Sequence, residues 1–400
     1  MQLQTRVRNA LLAATLIAPV GVAVASPVDA LPPDVLPVAV GNSTGRGDAT
    51  YLYVIGTDLG GGRLGYVNQA GAFTPWPAGQ NPPSPAPDVA IPGPGNGGSG
   101  TINVPRGFSG RVYFSLGSKL DFRLTPDGLV QPAPWAEGDA NRDILFDWSE
   151  FTYNDGGLWL NSSQVDMFAV PHAVSVTGSD GSTSTTGEPK PGGRQAVIDT
   201  LRSDPAWSRS VYTRSDGTVL RVLAPGKAAG AGQLDPGYLD SYISSAWDAY
   251  ASKTLTVQPF GDRPDTKFFG HTSGNVMTFT DGSGAQVASF NKPSSASVWG
   301  CDGDLPSPND QVVGPISRTL CAALNRGTLG TIDTQPSTSA ADFYRTSPTN
   351  LYAKAVHANM VDGKAYAFAY DDVGNFESLV HADDPRSASI TLSSFGQGVR

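Results

Sequence analysis

The sequence predicts a mainly β fold with an α/β part: a β-sandwich or barrel lobe, plus a mixed α/β lobe inserted late, with a groove between them. Three observations predict it. Gly (47) and Pro (32) are abundant in the 400 residues, while charged residues are only 16%. Short alternating runs with turn punctuation fill the first third of the chain. Helical spacing is confined to the later middle.

Residues 1–25 read as a secretory signal. Arg6 and Arg8 supply a positive start, Ala10 to Ala18 an apolar run too short to span a bilayer comfortably, and Ala23-Val24-Ala25 a small-x-small cleavage site, with Ala30 as a second candidate. The mature chain is expected outside the cell. Residues 26–176 form the β lobe. Runs at Thr50-Leu52-Val54, Val112 to Phe114 and Asp121 to Leu124 are its strands, and Gly79 to Gly100 is a loop rich in Pro and Gly.

Residues 177–357 change character. Arg194 to Arg202 reads as a short helix. Asp235-Pro236 reads as the start of another, running from Gly237 to Ala251. Asn309 to Asn325 carries Val312, Ile316, Leu320 and Leu324 at four-residue spacing. Val276 to Phe279 and Gln286 to Phe290 are strands between these helices, and a helix around Ala340 to His357 is interrupted near Pro348. Residues 358–400 return to the first lobe as strands, at Lys364 to Tyr370 and Ile390 to Leu392.

The net charge is −9, and no basic cluster occurs. Nucleic acid is thereby disfavoured as a partner, whereas a neutral polymer tolerates an acidic surface. No cofactor or metal motif stands out. The four histidines, His172, His271, His357 and His381, lack zinc-ligand spacing. Asp139 to Glu150 places acids at calcium-loop positions, but Ile144 stands where that loop needs Gly. Asp371-Asp372 reads as a solvated turn that could line a cleft. Cys301 and Cys321 are the only cysteines. In an extracellular protein an isolated pair is usually bridged, and the alternative is two buried thiols.

The unusual residues lie between 146 and 176. On a strand, Glu150, Thr152 and Asn154 share one face, and Phe151 and Tyr153 take the other. A second alternating run would put Ser162, Gln164 and Asp166 together, opposite Ser163, Val165 and Met167. Such a polar face suits sugar hydroxyls, and Trp159 offers an indole for a pyranose ring. Two carboxyls flanking one bond are what glycoside hydrolysis requires. Register decides whether Glu150 and Asp166 cooperate. A tight turn at Asp155-Gly156 would leave them roughly 13 Å apart along continuing strands. The expectation is therefore a wide connection, Asp155 to Asn161, containing Trp159.

The stretch FDWSEFTYNDGGLWLNSSQVDMFAVP, Phe146 to Pro171, resembles the core signature of glycoside hydrolase family 64. Similar matches recur at Cys301 to Asp310, Ile316 to Leu329 and Tyr352 to Gly374. The resemblance implies a thaumatin-like architecture and a β-1,3-glucan partner of the laminarin or curdlan type. It implies an inverting mechanism, with Glu150 the general acid and Asp166 the general base. It places Thr152, Asn154 and Trp159 against the glucan; Asn161, Ser163 and Gln164 are further substrate-binding candidates. As acid, Glu150 must stay protonated near neutral pH, through burial or the field of Asp166. A monomer is expected. Two other readings compete: a thaumatin-like glucan-binding protein without turnover, and a calcium-dependent adhesion protein.

Overall fold

The computed structural model describes residues 34–396; the expected signal segment lies outside the described residues. The fold is mainly β. One five-stranded sheet has the order Thr183–Thr186, His172–Gly178, Pro385–Leu392, Val35–Asn42, Ser99–Pro105. Its two central strands come from opposite ends of the chain and run parallel, Val38 beside Ala388. The larger sheet has the order Leu379–Ala382, Gly157–Ser162, Leu145–Asn154, Phe108–Leu116, Thr50–Asp58, Arg63–Val67, Phe73–Pro75, with Ile91–Pro92 beside Thr50–Asp58.

Alternation on these strands builds the core. Val112 and Phe114 point inward from Phe108–Leu116, as do Phe151 and Tyr153 from Leu145–Asn154, all at most 4% exposed. Each such side chain contributes about 1.5–3 kcal/mol by leaving water. Phe114 meets His172 edge-on at 4.8 Å and so joins the larger sheet to the smaller.

The α/β part supplies a five-stranded sheet (Gln286–Asn291, Val276–Thr280, Phe268–Ser273, Leu255–Val257, Thr334–Gln335) and helices Gly193–Ser203, Asp240–Ala249, Val313–Asn325 and Leu351–Ala358. Ile316, Leu320 and Leu324 are at most 1% exposed, which accounts for the four-residue spacing. Cys301, just past helix Ser295–Gly300, is bridged to Cys321 within Val313–Asn325. A bridge closing a loop of this size contributes roughly 3 kcal/mol.

Three local expectations fail, and a fourth, the interrupted helix at 340–357, holds only in its second part. Asp235-Pro236 forms a turn in which Asp235 Oδ1 accepts from Gly237 N, and the helix starts at Asp240. The 340–357 region holds only a short 3-10 turn, Ala340–Asp342, ahead of Leu351–Ala358. Lys364 to Tyr370 is no strand. Its Ala365 to Phe368 stretch is buried throughout, and Ala367 N donates back to Asp371 Oδ2. Asp371 itself is no solvated turn: it is 0% exposed, accepting from Arg326 Nη2 at 2.9 Å and lying 2.8 Å from His357 Nε2.

Candidate active site

The strand Leu145–Asn154 and its neighbour Gly157–Ser162 are joined by a tight turn at Asp155-Gly156, not by a wide connection. Asn154 Oδ1 accepts from Gly156 N, and Gly157 follows with φ 106°. A Cβ at Gly157 would stand 2.1 Å from the Ala382 carbonyl, so the turn needs glycine twice over. The register sets Glu150 opposite Asn161 and Thr152 opposite Trp159. Trp159 is thus a strand residue on the Glu150 face, stacked on His381 at 4.2 Å.

The expected second run does not continue as a strand. The chain leaves the larger sheet at Ser162, turns, and enters the short strand Met167–Phe168, which pairs with Val219–Leu223. Asp166 stands at this bend, its carbonyl accepting from Ala224 N at 3.0 Å. The turn brings Asp166 back toward Glu150, which a continuing strand could not do. Gln164 serves the bend. It is buried, its Oε1 accepting from Tyr366 N and its Nε2 donating to Ser162 Oγ. Asn161 and Ser163, also expected on the open surface, are each 2% exposed. Asn161 Oδ1 and Ser163 Oγ lack protein partners.

Arg111 ties the acids together. It lies directly across from Glu150 on Phe108–Leu116. Its Nε and Nη2 reach Glu150 Oε1 at 3.0 and 2.9 Å, and the same Nη2 is 3.9 Å from Asp166 Oδ2. Those two Nη2 distances, added, bound the separation of the two carboxyl oxygens at about 6.8 Å. Arg111 rests on the Trp148 ring at 4.6 Å. Burial works against its charge, but Tyr113, Glu150 and Asp166 outweigh it and hold the guanidinium above its ordinary range. On its other oxygen Asp166 meets Lys227 Nζ at 3.2 Å. Lys227 belongs to Pro225–Gly230, the helix that follows the strand paired with Met167–Phe168. Glu150 and Asp166 keep 21% and 16% of their side chains open to solvent. Thr152 Oγ1 shares a hydrogen bond with Ser109 Oγ on the same face.

Neither Arg111 nor Lys227 was a sequence candidate. Arg111 left one signal, a lone charge immediately before the apolar run Val112-Tyr113-Phe114. Lys227 left none. The calcium reading also loses its frame, because Leu145–Asn154 is a strand where that motif needs its exiting helix. Among the described residues no cluster of three or more His, Cys, Asp or Glu could hold a metal, and no helix is long and apolar enough to cross a membrane.

Two solvent-reachable carboxyls held on one guanidinium, with an indole on the same sheet face, are the equipment of a glycoside hydrolase. The family model for β-1,3-glucanases of glycoside hydrolase family 64 matches residues 34–392, and the chain belongs to that family. A glucan endo-1,3-β-glucosidase of Arthrobacter sp. (strain YCWD3) is 46% identical over 376 residues, 94% of this chain and 68% of that enzyme. A solved laminaripentaose-producing β-1,3-glucanase in complex with laminaritetraose is 53% identical, with a TM-score of 0.87 over 91% of this chain and 99% of the other. The β-1,3-glucanase domain from Clostridium beijerinckii is 27% identical, with a TM-score of 0.75 over 91% of this chain and all of that one (100%).

Proposed function

We propose that the protein is a secreted, monomeric enzyme that hydrolyses β-1,3-glucan with inversion, Glu150 acting as general acid and Asp166 as general base. The observation that carries this reading is the convergence of both carboxyls on Arg111, with their oxygens within about 6.8 Å. In the reaction Glu150 gives its proton to the glycosidic oxygen as the C–O bond breaks. Asp166 takes a proton from water, whose oxygen bonds to the anomeric carbon from the opposite face. Inverting pairs stand about 6.5–9.5 Å apart to admit that water, and the bound admits the lower end of this range. Inversion itself leans on the family resemblance.

The acidic chain, with net charge −9, is compatible with a neutral glucan. Thr152, Asn154 and Trp159 lie along the Glu150 face, where successive sugars would run. Asn154 Oδ1 is engaged in the turn and Thr152 Oγ1 shares a bond with Ser109 Oγ, which leaves the Trp159 indole as the larger contact. A binding protein without turnover has no need of two acids on one arginine.

The test is release of reducing ends from laminarin. The parent should produce them, and Glu150→Gln and Asp166→Asn should each abolish cleavage while still binding laminarin. Full turnover by either variant would remove that residue from its role.

A further inference from the structure

A hollow of about 330 Å³ is lined by Trp135, Glu137, Arg142, Gly230 and Gln233 among others. Lys227 connects it to Asp166. Its Nζ is 3.2 Å from Asp166 Oδ1 and 4.3 Å from the centre of the Trp135 ring. Added, these bound the indole at about 7.5 Å from the carboxyl oxygen. A line of contacts therefore runs Trp135, Lys227, Asp166, Arg111, Glu150, and then along the sheet face to Thr152 and Trp159. Along this line of contacts the acid pair comes between two indoles.

We propose that the Trp135 hollow is a second sugar-binding platform, which holds a glucosyl residue of the substrate on the Asp166 side of the cleaved bond, opposite the Trp159 side. The inference rests on the hydrolase reading above. The hollow's chemistry fits a neutral polyol. An indole receives the C–H face of a pyranose. Arg142 and Glu137 offer a donor group and an acceptor group of opposite charge, which disfavours a purely anionic or cationic ligand. Gln233 lines the hollow, and its Oε1 is buried without a protein partner; a turn of this side chain toward the hollow would let it accept from a sugar hydroxyl. The volume is at the lower end of small-ligand sites and suits one ring, not a folded chain. With platforms on both sides, the enzyme would grip internal segments of a glucan.

The experiment measures laminarin hydrolysis by the parent, Trp135→Ala, Trp135→Phe and Gln233→Leu, with laminaritetraose binding followed by calorimetry. Gln233→Leu leaves both Trp135 and Lys227 in place, so it separates sugar contact from the seating of Lys227. Trp135→Ala should raise KM about tenfold, the loss expected for one aromatic contact, with kcat nearly unchanged. Trp135→Phe should recover part of that loss, and Gln233→Leu should also raise KM. Unchanged KM in Trp135→Ala and Gln233→Leu, with an active parent, would overturn the inference. So would a fall in kcat for Trp135→Ala with no effect of Gln233→Leu, because Trp135 would then only seat Lys227. If Trp135→Ala does not fold, Trp135→Phe and Gln233→Leu decide alone. A parent that leaves laminarin intact would sink the hydrolase reading instead, and tetraose affinity in the same variants would still judge the platform.

Discussion

Glu150 and Arg111 face each other across neighbouring strands, and the guanidinium that grips Glu150 Oε1 at 2.9 Å also faces Asp166 Oδ2. Two carboxyl groups are thereby held near each other on one cation, in a site still open to water. The arginine is in turn seated on Trp148 and reaches Tyr113 Oη, which donates to Gln131 Oε1.

Replacing Arg111 should consequently harm turnover more than affinity. Arg111→Met is expected to lower kcat on laminarin by about 10²-fold, the scale of a misplaced catalytic group, with KM changed little. Arg111→Lys should restore only part of the activity, since one ammonium cannot reproduce a fork that spans two carboxylates. An unaltered kcat in Arg111→Met would show that the acids need no shared cation.

Much of this site could be read from the chain, and the unread part has a definite cause. Alternation over Trp148 to Asn154 is a local property, so the faces of Glu150, Thr152 and Phe151 were legible. Cross-strand neighbours are not local: Arg111 is 39 residues from Glu150. The expected wide connection followed from treating Ser162 to Met167 as a continuing strand. In the fold Gln164 is spent on the backbone of Tyr366, and that bend is what brings Asp166 round. Lys364 to Tyr370 failed similarly, because its partners are Asp371 and Gln164 and not a strand edge.

Asp371 is a buried hub, meeting Arg326 on one oxygen and His357 and Ala367 N on the other. Asn cannot accept on both sides. Asp371→Asn should destabilise the protein by about 3–5 kcal/mol in urea unfolding, as removal of one partner leaves a buried arginine unpaired. A loss below about 1 kcal/mol, the level of an exposed pair, would contradict that assignment.

His172 should govern part of the acid limb of stability. It is buried against Phe114, its Nδ1 is 2.9 Å from the Val170 carbonyl, and Nε2 has no protein partner. Burial, only partly offset by the Val170 bond, lowers its pKa from 6.5 to about 4. A depressed folded value means that its stabilising contribution is full above about pH 6.5 and is lost as pH falls toward 4. Asp147 and Glu377, both raised to about 7 chiefly by burial, act in the opposite sense over the same window. Comparison with a variant isolates the histidine. The stability advantage of the parent over His172→Gln should shrink by up to about 3 kcal/mol between pH 7 and pH 4. A difference that does not vary with pH would exclude this role.

The stereochemistry of the newly formed reducing end tests the paired-acid account most directly. Proton NMR of laminarin during the first minutes of hydrolysis resolves the two anomers before they equilibrate. Water activated by Asp166 and a leaving oxygen protonated by Glu150 predict that the α anomer appears first and the β anomer follows only by mutarotation. Initial release of the β anomer would contradict direct displacement by water between these two residues.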